Sequence, residues 1–487
     1  MKKLLFSFLL TMLCYAVNAQ VTTSKIRGTV TDKSGEGLFG ANIVVLHVPT
    51  GTISGAVAQD NGKYTVANLR VGGPYKVTFS YVGFESQEVE NVYLTLGKTT
   101  NIDASLAEGG EELKEVVISS SRSKVFNSDR TGAQTSVSSR QLKTLPTISR
   151  SADDFTRLEP TASNGSFGGR NDQFNNFSLD GSIFNNPFGL DAATPGGQTG
   201  SQPISLDAIE QISVSVAPYD VTLAGFTGAS VDAVTKSGTN EFFGTAYSFY
   251  RNENFTGGKI QGQDVFKPKL NQVQYGMSIG GDIVKDKLFF FANFEKDDRT
   301  DLGSNFQPST GGTSGINDSR VLESDLQLVS NILSQVVIGQ DAQGNDVFYN
   351  PGAYKGFTFD QESTKGIFKL DWNVNDKHRL AFIYNFLRAS KEKPAHPSAL
   401  GFRGPSATTL QFENAGYQIN NNIDSFLVEL NSNFNQETSN KLQIGYTHFD
   451  DFRNPLSTPA PSITLLDEFN GSNYIIAGHE PFQLIIN

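Results

Sequence analysis

The chain has 487 residues, of which 38% are apolar, and it contains 47 glycines and 37 phenylalanines. This length is enough for about two to four domains, and the abundance of glycine suits many turns and half-exposed strands better than packed helices. The formal net charge is −11 and no basic cluster is present, which argues against nucleic acid as a partner.

The first segment, 1–19, has the features of a secretory signal peptide. Two lysines precede an apolar stretch, and small residues end at Ala19. Such a segment is removed on export and is too short to span a membrane. The only cysteine, Cys14, lies within it, so the mature chain beginning at Gln20 would contain no thiol. No other apolar run reaches the ~20 residues of a transmembrane helix, so a membrane-spanning form would have to be a barrel.

Residues 20–107 predict a small β-sandwich, because short alternating runs are separated by turn residues. One such run has Tyr75, Val77 and Phe79 on one face, and 60–62 (Asp-Asn-Gly) is predicted to be a hairpin turn. The module contains no His-Glu-x-x-His motif. Its only histidine, His47, is interpreted as a surface or satisfied residue rather than a metal ligand, because metal sites need clusters of ligands.

Four short motifs make this module resemble the carboxypeptidase regulatory-like domain. They are Gly-Thr-Val at 28–30, Gly-Ala-Asn-Ile at 40–43, Asp-Asn-Gly-Lys-Tyr at 60–64 and Tyr-Val-Gly-Phe at 81–84. The family often has proline where Gly37 stands. Despite the name, no peptidase chemistry is predicted.

Residues 108–120 form an acidic, glycine-containing linker that ends in a β-prone run. The run consists of Glu115, Val116, Val117, Ile118, Ser119 and Ser120. One interpretation is the first edge strand of the next domain. The other is a mobile segment that adds a strand to a partner protein through main-chain hydrogen bonds.

Residues 121–240 resemble the plug domain of TonB-dependent receptors, an α+β fold. The motifs, in order, are Gln-Leu-Lys-Thr-Leu-Pro at 141–146, Gly-Gly-Arg-Asn at 168–171, Phe-Ser-Leu-Asp-Gly at 177–181, Ile-Glu-Gln-Ile-Ser-Val at 209–214 and Gly-Ala-Ser-Val-Asp-Ala-Val-Thr-Lys at 228–236. Together with the Thr-Lys-Ser-Gly-Thr-Asn-Glu-Phe-Phe-Gly junction at 235–244, they are most similar to the Oar-like branch. This resemblance implies that the run at 115–120 is a TonB box, which binds a periplasmic TonB-type energy transducer.

The candidate substrate contacts lie in the plug. They are Arg170 and Asn171, together with Phe184, Phe188 and Leu190 in or next to the glycine- and proline-rich segment 185–202. Long loops often carry binding residues. The alternative interpretation of this segment is an ordinary disordered connection.

Residues 241–487 predict the first seven strands of an antiparallel transmembrane β-barrel, or eight if 473–487 contributes one. Strands of about ten alternating residues are joined by short turns on one side and long segments on the other, which is typical of outer-membrane barrels. A short helix is predicted near 319–337. Transporters with this plug close with about 22 strands, so the chain is expected to be an N-terminal fragment or a truncated reading frame.

The predicted fold is therefore mainly β, with a sandwich, a plug and an incomplete barrel. The resemblance implies a TonB-dependent receptor in the cell outer membrane, with its regulatory-like domain in the periplasm. Its partners would be the transducer, outer-membrane lipid and an extracellular substrate of unknown identity. Alternatives are a surface adhesion protein anchored by the barrel and a starch-utilisation-type glycan importer. No catalytic residue, cofactor or metal is predicted, since five scattered histidines and the lack of a Gly-x-Ser-x-Gly motif disfavour an enzyme.

Overall fold

The structure is a computed structural model, and it describes residues 22–109, 133–147, 150–163, 165–185, 194–216, 226–312, 315, 317–395, 404–435, 438–457, 462–466, 474–477 and 483–486. The predicted signal peptide and the run at 115–120 lie outside the described residues, as do Phe188 and Leu190. Within the described ranges, no helix is both long and apolar enough to cross a membrane.

The first module is a β-sandwich of two four-stranded sheets, as predicted. Its strands are β1 (Ser24–Asp32), β2 (Asn42–His47), β3 (Thr52–Val57), β4 (Lys63–Leu69), β5 (Gly72–Ser80), β6 (Gln87–Leu94), β7 (Thr99–Asn101) and β8 (Ala104–Leu106). One sheet has β1 bonded to β4, β7 and β8, and the other has the order β3-β2-β5-β6. Alternate residues such as Ile43, Val45, Val77 and Phe79 fill the space between them.

The predicted hairpin at Asp60–Gly62 is wrong. This segment is a single 3-10 turn in which Asn61 has a φ of 69°. It joins β3 to β4, which belong to different sheets, so it carries the chain across the sandwich instead of folding one strand back on its neighbour.

The second module is built on a mixed five-stranded sheet with the order β13-β12-β15-β14-β9, in which β12 and β15 are parallel. Its elements are β9 (Ala133–Ser138), α1 (Ser139–Thr144), α2 (Asp153–Thr156), β10 (Ala162–Ser163), β11 (Ser166–Phe167), β12 (Asn176–Leu179), β13 (Ser182–Ile183), β14 (Ile209–Val216) and β15 (Ala229–Thr235). The α+β plug fold expected from the motifs is present. We call this module the plug.

The third module is dominated by one antiparallel sheet of seven strands, which we call the barrel sheet. In chain order the strands and the helix are β16 (Phe243–Asn252), β17 (Lys259–Ile260), β18 (Gln263–Asp264), β19 (Leu270–Val284), β20 (Leu288–Leu302), β21 (Gln307–Ser309), β22 (Asp318–Leu322), α3 (Glu323–Leu333), β23 (Val337–Gln340), β24 (Asp346–Phe348), β25 (Thr358–Asn375), β26 (His378–Lys393), β27 (Thr409–Gln411), β28 (Tyr417–Asn433), β29 (Ser439–Pro455), β30 (Ser462–Leu466), β31 (Tyr474–Ala477) and β32 (Gln483–Ile486). The barrel sheet has the order β16-β19-β20-β25-β26-β28-β29.

Short turns and long connections alternate along the barrel sheet, as predicted. Turns at 285–287, 376–377 and 434–438 lie at one end, and connections 253–269, 303–357 and 394–416 lie at the other. Six of the seven strands have 15 to 18 residues, longer than the ten expected. The hydrogen-bonded ladder therefore continues beyond the apolar part of each strand into its polar half.

The two faces of the barrel sheet are inverted relative to a soluble protein. Met277 is 61% exposed and Ile444 is 66% exposed on the outer face, whereas Lys365 is 5% exposed and Asn385 is 2% exposed on the inner face. This confirms the alternation predicted for β19, in which Tyr275, Met277 and Ile279 oppose Gln274 and Ser278. An apolar outer band with polar inner residues is the pattern of membrane barrels.

The long connections contain ordered structure of their own. Helix α3 lies within the predicted range, and it packs in a separate apolar cluster formed by Val321, Leu326, Val329, Leu333, Tyr349, Leu410 and Phe412. The eighth strand proposed for 473–487 is wrong. Strands β31 and β32 have four residues each, too few for the ~9–11 that a crossing needs, and they pair with β27 and β30 in a small separate sheet.

The plug packs against the inner face of the barrel sheet, and the sandwich lies at the end with short turns. One apolar cluster joins Phe177 and Ile212 of the plug to Phe291, Leu387 and Ile423 of the barrel sheet. At the turn end, the Asn240 amide donates to the Pro49 carbonyl at 2.8 Å. The three modules therefore meet around one end of the barrel sheet.

The apolar outer band predicts that a charge on the outer face of β19 destabilises the protein inside the band but not near the polar end of the strand. Ile279→Arg places a charge in the apolar outer band and should lower stability by about 2–4 kcal/mol. Asn271→Arg, on the same face near the polar end of the strand, should have little effect. Thermal unfolding of the purified protein in detergent, followed by circular dichroism, would measure both. Equal tolerance of the two substitutions would contradict a lipid-facing outer surface.

Candidate functional site

A buried ion pair on the inner barrel face binds a hydroxyl of the plug. Lys365 Nζ lies 2.9 Å from Glu295 Oε1, and Glu295 is fully buried. Glu295 Oε2 accepts hydrogen bonds from Tyr247 Oη at 2.5 Å and from Ser205 Oγ at 2.8 Å. Because Ser205 belongs to the plug and the other three to the barrel strands, this cluster fastens the plug to the wall.

A second contact joins the end of the plug sheet to β16. Lys236 Nζ lies 3.3 Å from Asp207 Oδ1, and Thr245 Oγ1 donates to Asp207 Oδ2 at 2.6 Å. Burial raises the pKa of Asp207, but the Lys236 charge and the hydroxyls of Ser278 and Thr245 outweigh it and hold that pKa below its ordinary value. Asp207 is therefore an anion and binds these donors strongly.

A third contact uses the Asp-Gly pair after β12. Asp180 has a φ of 48° and Gly181 a φ of 81°, and a Cβ at position 181 would meet the Gln443 amide at 2.8 Å. Asp180 accepts from Thr235 Oγ1 at 2.6 Å, its carbonyl accepts from Gln443 Nε2 at 3.0 Å, and Lys369 Nζ lies 3.8 Å from its carboxylate. The turn thus brings the Asp180 carboxylate to β25 and the Asp180 carbonyl to β29.

These contacts hold the plug in place and are not arranged as catalytic groups. Net hydrogen-bond contributions are typically about 0.5–1.5 kcal/mol, because water replaces a lost partner. Throughout the part of the chain that the structure describes, no group of three or more His, Cys, Asp or Glu residues could hold a metal ion.

The three predicted substrate contacts that the structure describes do not form a single surface. Arg170 and Asn171 are exposed and precede β12, at the end of the plug sheet opposite Asp180. Asn171 also has a local role, because its Oδ1 accepts from the Gln173 amide at 2.9 Å. Phe184 is 1% exposed and belongs to the apolar cluster between plug and barrel, so a direct substrate contact by Phe184 is wrong for this conformation.

The charged residues of the inner barrel face were not predicted from the sequence. In β25, Lys365, Lys369 and Asp371 share one face, and Phe368 and Trp372 lie on the other. Three charges at even spacing opposite large apolar residues were the signal that could have located them. Their partners lie 70 or more residues away, and no local pattern identifies those.

A cavity of about 150 Å³ lies where sandwich, plug and barrel sheet meet, and His47 lines it beside Arg70 and Arg379. His47 is buried, its Nδ1 lies 2.6 Å from Thr50 Oγ1, and its ring packs 4.7 Å from the Tyr75 ring. Burial, with the two arginine charges, lowers the pKa of His47 to about 3, although Asp371 opposes this. His47 is thus a neutral, satisfied residue, as the sequence indicated.

Comparison with known proteins supports the module assignments. The family model described as an outer membrane beta barrel domain matches residues 234–484, more than half of the chain. The model of the carboxypeptidase regulatory-like domain matches residues 25–107. Both matches agree with the resemblances found in the motifs.

Two curated relatives share part of this sequence. The TonB-dependent transporter Oar of Myxococcus xanthus is 26% identical over 307 residues, covering 58% of this chain and 27% of that protein. The TonB-dependent receptor P3 of Formosa agariphila is 36% identical over 151 residues, covering 31% of this chain and 14% of that protein. The chain therefore spans less than a third of the length of either relative. The outer membrane transporter YddB of Escherichia coli is 12% identical, with a TM-score of 0.47, and the alignment covers 71% of this chain and 43% of YddB.

We expect the Glu295–Lys365 pair to show strong coupling. Glu295→Gln or Lys365→Met alone leaves an uncompensated buried charge and should destabilise the protein by about 3–5 kcal/mol. The double variant should recover most of this loss. Thermal unfolding of the four proteins gives the coupling energy, and Lys296→Met on the opposite face is the control with little expected effect. Additive losses would show that the two groups do not act as a pair.

His47 should make stability depend on pH. Its pKa is about 3 in the folded protein against an ordinary 6.5, so its contribution is fully present above pH 6.5 and declines as pH falls towards 3. The decline is at most about 1.4 kcal/mol per pH unit. His47→Gln removes the titration, and the unfolding midpoint of that variant should vary less between pH 6.5 and 4. An unchanged pH profile would assign the dependence to another group.

Proposed function

Because the chain belongs to the outer membrane beta barrel domain family, we propose that it acts as a TonB-dependent receptor and transporter in the outer membrane. It binds an extracellular substrate and imports it with energy that a periplasmic TonB-type protein transmits from the inner membrane. In this proposal 1–19 is removed as a signal peptide, and the sandwich lies in the periplasm.

The observation that carries this proposal is a plug whose position on the inner barrel face is set by exchangeable polar contacts, beside a shared apolar cluster. Asp180, Ser205 and Asp207 of the plug each contact a side chain of a barrel strand. A purely apolar interface would expose its surface to water on displacement, at about 25 cal/mol per Å². Polar contacts regain hydrogen bonds from water, so force can displace the plug without unfolding the barrel.

Energy would enter through 115–120. This run lies between the sandwich and β9, and β9 is the edge strand of the plug sheet, bonded only to β14 among the described strands. Force applied at the N-terminal end of β9 would therefore load a single ladder of hydrogen bonds. A strand-like box needs little side-chain specificity, because main-chain hydrogen bonds supply most of the affinity.

Substrate contact is proposed for the exposed Arg170 and Asn171, which lie at the end of the plug sheet opposite the sandwich. The long connections of the barrel sheet are on the same side, since the sandwich contacts the turn end. The chemistry of two adjacent hydrogen-bonding side chains fits a polar substrate, and Phe188 and Leu190 remain predictions.

A surface adhesion protein anchored by the barrel is the second candidate. The favouring observation is that the long connections have an apolar cluster of their own, including Leu326, Val329 and Phe412, and helix α3. An ordered unit of this kind can present a binding surface without transport. It would not require the run at 115–120.

Replacement of Val117 by proline tests the transport proposal in the full-length protein in its host. Proline removes a main-chain donor and should abolish crosslinking to the TonB-type transducer at normal surface level. Glu112→Pro, a matched change in the preceding linker, should leave crosslinking unchanged. Crosslinking that survives Val117→Pro would mean that the box lies elsewhere. No crosslink in the unmodified protein would favour the adhesion candidate.

A further inference from the structure

Among the described residues, four hydrogen bonds join the sandwich to β25, β26 and β28 at the rim of the barrel sheet. Arg379, on β26, donates to the Asn68 carbonyl. The remaining contacts are Asn373 Nδ2 to Thr52 Oγ1 at 2.9 Å, Asn68 Nδ2 to Asn433 Oδ1 at 3.0 Å, and Thr22 Oγ1 to Glu429 Oε2 at 3.0 Å. They involve β25, β26 and β28, so the sandwich spans the turn end of three neighbouring strands.

The sandwich also touches the plug. The Gln211 side chain of β14 donates to the Leu94 carbonyl and accepts from the Leu96 amide, both at 2.9 Å. Val71 and Leu96 of the sandwich pack with Val234 in a small apolar cluster. The sandwich therefore rests on the barrel rim and on the plug at once.

A row of alternating charges runs through this junction. Arg70 Nη1 of the sandwich lies 3.3 Å from Asp371 Oδ1 of β25, and the two side chains are 17% and 7% exposed. Two residues along the same inner face, Lys369 lies 3.8 Å from Asp180 of the plug. The charges alternate from a cation of the sandwich, through an anion and a cation of β25, to an anion of the plug. One strand thus links the three modules. We call Arg70, Asp371, Lys369 and Asp180 the clasp.

The four clasp residues border the cavity, which has space for water beside their charges. The cavity of about 150 Å³ is lined by all four clasp residues and by other polar side chains. It has room for a few water molecules, at about 30 Å³ each. Asp371 Oδ2, which is buried, makes no hydrogen bond to the protein, so water can solvate this carboxylate as the ion pair separates. Release would expose the small apolar cluster of Val71, Leu96 and Val234.

We propose that the sandwich is a second closure of the barrel, held over its periplasmic mouth by the clasp and released when the plug moves. This inference rests on the proposed transport function. Movement of the plug withdraws the negative charge of Asp180 from the cavity. Lys369, Arg70 and Arg379 then lie close to one another with fewer negative charges to offset them. Repulsion among these three cations then weakens the hold of the barrel on the sandwich. The plug and the sandwich thus open in sequence.

The retention of the sandwich tests the clasp directly. A specific protease site placed within 110–114 of the full-length protein allows the linker to be cut, and size exclusion then measures how much sandwich stays bound. Arg70→Glu should speed its release at least about tenfold. Arg70→Glu with Asp371→Arg restores an opposite pair and should recover retention. Lys63→Glu, an exposed charge reversal on the sandwich, is the control. Equal release from the unmodified protein and Arg70→Glu would overturn the clasp.

A disulfide tests the closure itself. The mature chain is predicted to lack cysteine, so Thr52→Cys with Asn373→Cys creates one defined pair across the junction. In planar bilayers under urea that displaces the plug, the oxidised protein should open channels at least about tenfold less often than the reduced protein. A pair at Thr300→Cys and Asp360→Cys, which joins β20 to β25 within the barrel sheet, should open normally. Equal opening of the oxidised and reduced junction pair would refute the closure.

These experiments separate the inference from the proposed function. If transducer crosslinking through 115–120 is intact but the junction variants behave as the unmodified protein, the second closure fails and transport stands. If crosslinking is absent from the unmodified protein, the transport proposal fails whatever the junction does.

Discussion

The structure depends on one constraint, which is that each strand of the barrel sheet must satisfy two different environments at once. Successive side chains point to opposite faces, so a residue that suits the outer apolar band is followed by one that suits the plug side. Met277 and Ser278 show the rule at a single step. The inner face carries both apolar residues, such as Phe291, and charged residues, such as Glu295. The plug contacts its polar groups with Asp180, Ser205 and Asp207.

The same constraint explains why the plug is bound by both apolar and charged groups. The apolar cluster around Phe291 and Ile423 supplies contact area, whereas the charged groups determine the position of the plug. Buried charges stay favourable only when paired, so displacement of the plug by a small distance breaks several interactions together.

The sandwich is bound in a similar way at the turn end of the barrel sheet. Many of its contacts are polar, and Lys369 faces the plug while Asp371, two residues further, faces the sandwich. A single strand, β25, therefore contacts both modules through charged side chains. A regulatory-like domain placed there can influence passage through the barrel without any chemistry of its own, by the charges it shares with the rim.

The sequence alone determined the local features, namely the module order, the alternation along β19, the short turns near 285–287 and the motif at 177–181. Each depends on residues within a few positions of one another. Tertiary structure decided which residues of distant segments meet, such as Lys365 with Glu295 and Arg70 with Asp371, because strand register and module docking are not encoded locally. It also placed Phe184 in the core and β31 and β32 outside the barrel sheet. Apolar composition does not tell a buried contact from a binding surface, and a four-residue strand pairs wherever the fold brings an open edge to it.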